Sequence, residues 1–426
     1  MPPLSSPGPA RLRILWIRAG GCLPLTSGGV IYSYHLLMHL VKHCHVHALE
    51  LRREEQETPD SVPYAHKLEC VHARLLGDWS PRRFLHYIGP VLRNLFASRR
   101  PFIHAFFENA EFKQRVRERV LSGQFDLVIA DELVVAPAFE GWKAERRVPS
   151  ILLQHNVEAS IWKRMTQLQR NPFMWLFYQE MTRRMRRQEP RLCQLFDAVL
   201  TNSTYDADCY REVFRLPHVL GSVLPGTPPS QSEPPPAVLQ QQPAPWIAFV
   251  GAMNWPPNTD AAIWFMQEVL PLVRKTRPDV RFRVIGHKPP PSFYQLAASH
   301  TGIEITGTVP AVLPLLRECT VQVVPLRAGS GVRHKILESM GAGVPVVSTT
   351  IGAEGLYLED ERELLLADDA PALSAAILRL LDDPALRKTI AENAFARINR
   401  DFLWEHSGDK LLQFCHTVLQ KKHVRA

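Results

Sequence analysis

The sequence has no apolar run approaching the roughly 20 residues that a bilayer-spanning helix needs, so an integral membrane protein is not expected. Its start, MPPLSSPGPARLR, lacks the basic-then-apolar order of a secretory signal, which makes the cytoplasm the expected compartment. The seven cysteines (Cys22, Cys44, Cys70, Cys193, Cys209, Cys319 and Cys415) are odd in number and contain no C-x-x-C pair. That argues against a disulfide framework and against a cysteine zinc site. The loop after the first strand lacks G-x-G-x-x-G, which leaves an NAD-dependent oxidoreductase weakly supported. No D-x-D stands in a position to hold a metal ion. His43, His45 and His47 have no carboxylate at ligand spacing, so they are read as structural or solvated rather than as a metal site.

At 426 residues the chain is too long for one core, and two domains are the natural reading. The clearest boundary is Pro228–Pro245, PPSQSEPPPAVLQQQPAP, which is rich in Pro and Gln and nearly uncharged. The expected organisation is residues 1–227 as a first domain, 228–245 as linker, 246–400 as a second domain and 401–426 as a closing helix. In both halves short apolar runs alternate with amphipathic stretches. Candidate strands before the linker are Leu12–Ile17, Val46–Leu51, Asp126–Ala130, Ile151–Leu153 and Ala198–Thr201. After it they are Trp246–Val250, Phe282–Ile285, Ile303–Thr306, Val321–Val324, Val344–Ser348 and Glu363–Leu366. This alternation predicts an α/β fold with parallel sheets covered on both faces, and ligands at the carboxyl ends of the strands.

The net charge of +8 is concentrated in the first half. Residues 80–121 hold nine basic residues against Glu108, Glu111 and Glu118, and residues 161–191 hold eight against Glu180 and Glu189. A solvated helix face, an anionic membrane surface or lipid phosphate, and a nucleic acid would each suit such charge. No nucleic-acid-binding module accompanies it, so no nucleic-acid partner is expected.

The most informative segment is Val321–Leu356, VQVVPLRAGSGVRHKILESMGAGVPVVSTTIGAEGL. A buried strand ends in the loop Arg327–Gly331, and a helix is expected from about Val332 to Ala342, ended by Gly343 in the left-handed conformation. Gly329 and Gly331 allow backbone amides to approach a ligand, and the helix N-terminus adds partial positive charge. Together they form a diphosphate seat. Arg333 and Lys335 are expected in the first turn, where the macrodipole disfavours a cation by about 0.3–1 kcal/mol. Two cations there point to an anion nearby; the alternative is a surface pair between Lys335 and Glu338. Glu338 offers only acceptors, which suits the vicinal hydroxyls of a sugar ring.

The stretch G-x-G-x-R-x-K-x-L-E-x-M-x-x-G-x-P-V-V-x-T-x-x-G-x-E-G resembles the donor-site signature of family 4 glycosyltransferases, which have the GT-B fold. Phe196–Ser203 and Val223–Pro225 resemble the end of that fold's first domain. Phe249–Asn254 resembles the opening strand of its donor domain, and Phe402–Leu419 its closing helix, which crosses back to the first domain. The resemblance implies two Rossmann-like domains facing each other across a cleft. It implies that Arg333 and Lys335 contact donor phosphates, that Gly329, Ser330 and Gly331 form the loop beside the diphosphate, and that Glu338 holds the ribose hydroxyls. Glu354 belongs to the same signature and faces the cleft in the family. Ser330 stands where many members carry a second glutamate. Asn254 and Asn258 stand where many carry an Arg and a Lys.

In the first domain, Gly28 and Gly29 would let the loop after the first strand approach the donor, or would merely form a turn behind a Ser27 cap. His155 ends a strand at a position comparable to a family histidine close to the transferred sugar, with Asn156 and Glu158 as supporting groups. Asp131 and Glu132 end another strand, and Gly286, His287 and Lys288 a third, where they would border the base. The expected function is a metal-independent hexosyltransferase of polysaccharide biosynthesis. It would move a sugar, with retention, from a nucleoside-diphosphate donor to a hydroxyl on a glycan or lipid-linked saccharide, with possible peripheral contact at the inner face of an anionic membrane. No cofactor is expected. The rivals are a GT-B-fold sugar-nucleotide epimerase and a catalytically reduced sugar-nucleotide-binding protein.

Overall fold

The computed structural model describes residues 11–25, 27–54, 59–73, 100–227, 245–298 and 301–423, with 94 and 98 in addition. Residues 228–244 of the expected linker, Arg82, Arg83, Arg93 and Arg99 of the basic stretch, and the last three residues lie outside these.

The apolar runs form two parallel sheets. The first has seven strands: β1 (Arg13–Ala19), β2 (His45–Arg53), β3 (Lys67–Ala73), β4 (Leu127–Asp131), β5 (Ser150–Gln154), β6 (Ala198–Thr201) and β7 (Val219–Ser222). Their order across the sheet is β3-β2-β1-β4-β5-β6-β7. The second has β8 (Trp246–Val250), β9 (Arg281–Ile285), β10 (Ile303–Gly307), β11 (Val321–Val324), β12 (Val346–Ser348) and β13 (Leu365–Leu366), in the order β10-β9-β8-β11-β12-β13. Every residue of β4, β5 and β11 is buried, as a parallel sheet between two helical layers requires. Two strands had not been expected. β3, KLECVHA, is an edge strand of mostly half-buried residues and so lacks a continuous apolar run, and β7 lies at the opposite edge.

In each sheet the strand order reverses once, between β1 and β4 and between β8 and β11. Connections leave such a point in opposite directions and open a crevice at the carboxyl ends of the two strands. Helix α1 (Gly28–His43) follows β1, and Lys42 and His43 in its last turn suit the negative end of its dipole. Helices α2 (Glu158–Leu168) and α3 (Pro172–Cys193) follow β5, and α4 (Thr204–Glu212) follows β6. Helix α5 (Pro256–Trp264) follows β8, and α6 (His334–Gly341) follows β11. Gly343, with φ 74°, sits just beyond α6 in the left-handed conformation expected of it.

The two domains are joined where the chain leaves the first and returns to it. Thr227 donates its N–H to the Phe402 carbonyl at 2.7 Å and accepts from Trp404 N–H at 3.2 Å. Helix α7 (Trp404–His423) then packs on α1, and its buried Leu411, Cys415 and Val418 share one apolar cluster with Leu36, Leu37 and Leu40.

Candidate functional site

The two crevices open toward each other. On the second-domain side, α6 starts at His334, so Arg333 is the N-cap residue rather than part of the first turn, and it makes no side-chain cap. Its guanidinium folds back on its own loop, where Nη1 donates to the carbonyls of Ser330 and Gly331. Nη2 is buried and has no hydrogen-bond partner among the described residues. Burial pulls the Arg333 pKa down to about 10, against the pull of Glu354 and Asp206. Lys335, within the first turn, donates from Nζ to Asn258 Oδ1 at 2.8 Å and lies 4.5 Å from the centre of the Phe249 ring. Burial, with Arg333 adding to it, pulls its pKa down to about 7. The Glu338 carboxylate meets His334 Nδ1 at 3.3 Å, whereas Lys335 forms no ion pair among the described residues. The surface-pair alternative for Lys335 is therefore not the geometry found. Asn254 is exposed on the turn after β8, and Asn258, at the start of α5, is the asparagine that meets the lysine. His287, after β9, contacts Thr308 Oγ1 at 2.9 Å through Nδ1.

On the first-domain side, His155 follows β5 and is held by two carboxylates. Nε2 lies 2.8 Å from Asp131 Oδ1 and Nδ1 lies 2.9 Å from Glu132 Oε1. Asp131 in turn accepts from Arg18 at 2.9 Å and from the Trp16 indole N–H at 3.1 Å. Burial disfavours a charged imidazole, but Glu132 and Asp131 outweigh it and hold the His155 pKa up at about 9. His155 is thus held as an imidazolium at neutral pH by the two carboxylates beside it. Glu132 has φ 73°. A non-glycine residue in that region costs about 1–3 kcal/mol and persists where its surroundings hold it. Gly29 leaves room for the pair, since a Cβ there would stand 3.1 Å from both Glu132 Oε1 and His155 Nδ1. Glu158, at the start of α2, has its pKa raised to about 8 by burial and by Glu189, whose carboxylate accepts the N–H groups of Glu158 and Ala159 at 2.9 Å.

The two sides touch. Gly28, the first residue of α1, faces His334, the first residue of α6, so two helix N-termini from different domains confront each other across the cleft. Ser330 Oγ accepts from Val157 N–H and donates to Asp206 Oδ1, both at 3.0 Å. Arg164 of α2 grips Glu354 in a bidentate pair at 2.7 and 2.6 Å and reaches the Gly329 carbonyl. The Trp404 indole stacks with two imidazoles, His35 of α1 at 4.4 Å and His334 at 5.7 Å. Arg164, Asp206 and Trp404 had not been singled out as site residues. Arg164 was hidden within a basic stretch, and the other two carry no local signal.

Gly331 has φ 77°, and a Cβ on it would collide with the His155 carbonyl across the cleft. Gly331→Ala is therefore expected to hold the domains apart. Its kcat should fall by about tenfold or more, because misplacing reacting groups by an ångström is worth up to about a hundredfold, while far-ultraviolet circular dichroism stays unchanged. Wild-type kcat in this variant would show that the observed contact is not part of the working state.

Among the described residues, no group of three or more His, Cys, Asp or Glu side chains is placed to hold a metal ion. What the site offers is positive charge on one wall (Arg333, Lys335), two helix N-termini, and a carboxylate-held imidazolium on the other wall. That arrangement has the charge and the donors to suit a compact polyanion.

Two Rossmann-like sheets with their ligand crevices turned toward each other define the GT-B fold. Along 96% of its length the chain matches all of sucrose-phosphate synthase from Thermosynechococcus elongatus, with a TM-score of 0.70 at 17% identity. It also matches Anabaena HepE, solved in complex with UDP-glucose, over 95% of this chain and 100% of that one, with a TM-score of 0.65 at 15% identity. Residues 244–383 match the family described as Glycosyl transferases group 1. An uncharacterized 44.6 kDa protein in the cps region of Klebsiella pneumoniae is 28% identical over 166 residues, which are 37% of this chain and 42% of that relative's length.

Proposed function

We propose that the protein transfers a hexosyl group from a nucleoside-diphosphate sugar to a hydroxyl of a glycan or lipid-linked saccharide, with retention at the anomeric carbon. The observation that carries this reading is a pair of cations, the buried Arg333 and the half-buried Lys335, which meet carbonyls, an amide and a ring but no carboxylate at ion-pair distance among the described residues. Two desolvated cations beside a helix N-terminus are costly unless an anion joins them. A donor diphosphate supplies that anion. As the glycosidic bond breaks, negative charge grows on the leaving diphosphate, and cations already in place stabilise it without reorganisation. The His155 imidazolium on the opposite wall, with Glu132 at its side, would lie against the transferred sugar, and Glu338 against the ribose hydroxyls. This mechanism uses protein cations where a metal ion would otherwise act. HepE was solved with UDP-glucose, so UDP-sugars are the first donors to assay, with and without acceptor. Turnover only with acceptor supports the proposal. Product formation from the nucleotide sugar alone would instead mean an epimerase.

The commitment of Ser330 to Asp206 and to Val157 N–H favours one second reading, a sugar-nucleotide-binding protein with reduced catalysis. Tight donor binding without sugar release to any hydroxyl acceptor distinguishes it.

Lys335 makes donor binding pH-dependent. The free protein holds it at about 7, and a bound diphosphate favours the protonated ammonium. Affinity for UDP is therefore expected to be greatest below pH 7 and to fall by up to about tenfold per unit as pH rises above it, since a proton must then be taken up on binding. Calorimetry at pH 8 in buffers of different ionisation enthalpy should register that uptake, and Lys335→Met should abolish it. A pH-independent affinity between 6 and 9 would contradict the role given to Lys335.

A further inference from the structure

Helix α3 begins with an apolar turn that faces water. Residues 171–176 are exposed without interruption, and they include Phe173 at 83%, Met174 at 37%, Trp175 at 44% and Leu176 at 63%. Helix formation does not explain these side chains. The turn is capped by Asn171, whose Oδ1 accepts from Phe173 and Met174 N–H at 3.0 and 3.2 Å, and it starts with Pro172 at a favoured position. Packing into the domain starts one residue later, where Phe177 and Tyr178 meet Trp162.

The outward face of the same helix continues as positive charge. At 3.6 residues per turn, Trp175 and Leu176 share a stripe with Arg183, Arg186 and Arg187, all exposed. Arg183 is paired with Glu180 at 2.6 Å; Arg186 and Arg187 form no ion pair among the described residues. Lys163 and Arg170, on and after the neighbouring helix α2, are exposed as well. Aromatic and aliphatic side chains beside unpaired arginines match the boundary of an anionic bilayer, where rings enter the acyl edge and guanidinium groups meet lipid phosphates. Among the described residues no helix is long and apolar enough to cross a membrane, so the contact in question is a surface one.

The position of this turn relative to the cleft gives it a use. Helix α2 starts at the cleft, next to the Val157–Ser330 contact, and runs for 11 residues. At 1.5 Å per residue that is about 16 Å, and only Gln169–Asn171 separate its end from α3. We propose that Phe173–Leu176, with Arg186 and Arg187, dock the protein peripherally on an anionic membrane, setting the cleft one short helix away from the lipid surface. Only the purpose of docking, access to a lipid-linked acceptor, rests on the proposed glycosyl transfer; docking itself does not.

The test is co-sedimentation of the full chain with phosphatidylcholine vesicles, with and without phosphatidylglycerol. Wild type is expected in the pellet with anionic vesicles and released by high salt. Phe173→Ser/Trp175→Ser/Leu176→Ser and, separately, Arg186→Glu/Arg187→Glu are expected to lower the anionic-vesicle partition coefficient by about tenfold or more. Because all five positions are exposed, the melting temperature and UDP affinity of both variants should equal those of wild type. Loss of vesicle binding with UDP affinity intact thus separates this proposal from the donor site. Binding by both variants equal to that of wild type, or no enrichment of wild type on anionic vesicles, overturns it. So does sedimentation velocity without lipid in which wild type is a dimer and the apolar-turn variant a monomer, which would make the turn a self-association surface.

Discussion

Arg333→Ala is expected to lower kcat by about 10²–10³-fold, the cost of removing one preorganised donor from a site of developing negative charge. Arg333 Nη1 is held by the Ser330 and Gly331 carbonyls, so the group is fixed before donor arrives, and its buried Nη2 has no hydrogen-bond partner among the described residues. Alanine removes both the charge and the clamp on the loop. Arg333→Lys separates the two, since a lysine keeps charge but has no planar fork with which to bond two carbonyls. It should recover part of the lost kcat and little of the loop order. Steady-state turnover with a saturating UDP-sugar measures all three proteins. Activity of Arg333→Ala within a few-fold of wild type would remove this residue from the reaction.

The second large effect is expected at His155. Removing it leaves Asp131 with Arg18 and Trp16, but takes from Glu132 the imidazolium beside its carboxylate while its backbone remains at φ 73°. The imidazolium is buried between the two carboxylates, so His155→Ala should lower the melting temperature as well as turnover. The pH dependence identifies the cause. The folded pKa, raised to about 9, lies above the ordinary histidine value of 6.5. The stabilisation is therefore fully present below about pH 6.5 and is lost as pH rises through 9. Lys335, whose folded pKa is depressed, works in the opposite direction over pH 7 to 10.5. The quantity to follow is thus the stability difference between wild type and His155→Ala, in which the lysine contribution cancels. That difference should shrink between pH 6.5 and 9; a constant difference would mean that the histidine is held neutral.

The parts of this molecule legible in the sequence are those whose physics is local. Parallel strands buried on both faces are mostly apolar, and runs such as LVIA and ILL carry that message within a few residues. The β11–α6 turn is similar, because its glycines, cations and helix start lie within seven residues of one another. β3 was hidden because an edge strand need not be apolar throughout. Asn254 and Asn258 are one helical turn apart, and only the start of α5 decides which of them meets Lys335. The role of Ser330 was also hidden, since its partner Asp206 is 124 positions away, and Glu354 meets Arg164 across 190. Such pairs exist only because two separately folded sheets turn their carboxyl ends toward each other, and no local pattern encodes that meeting.

A donor diphosphate is expected to sit where α6 begins, between the domains, and a crystal structure of the full chain with UDP would show it. Both phosphate groups are expected within hydrogen-bond distance of the Arg333 guanidinium, the Lys335 ammonium and backbone N–H groups at the start of α6. UDP bound elsewhere, with Arg333 still folded on its own loop and Lys335 still on Asn258, would exclude this site as the diphosphate seat.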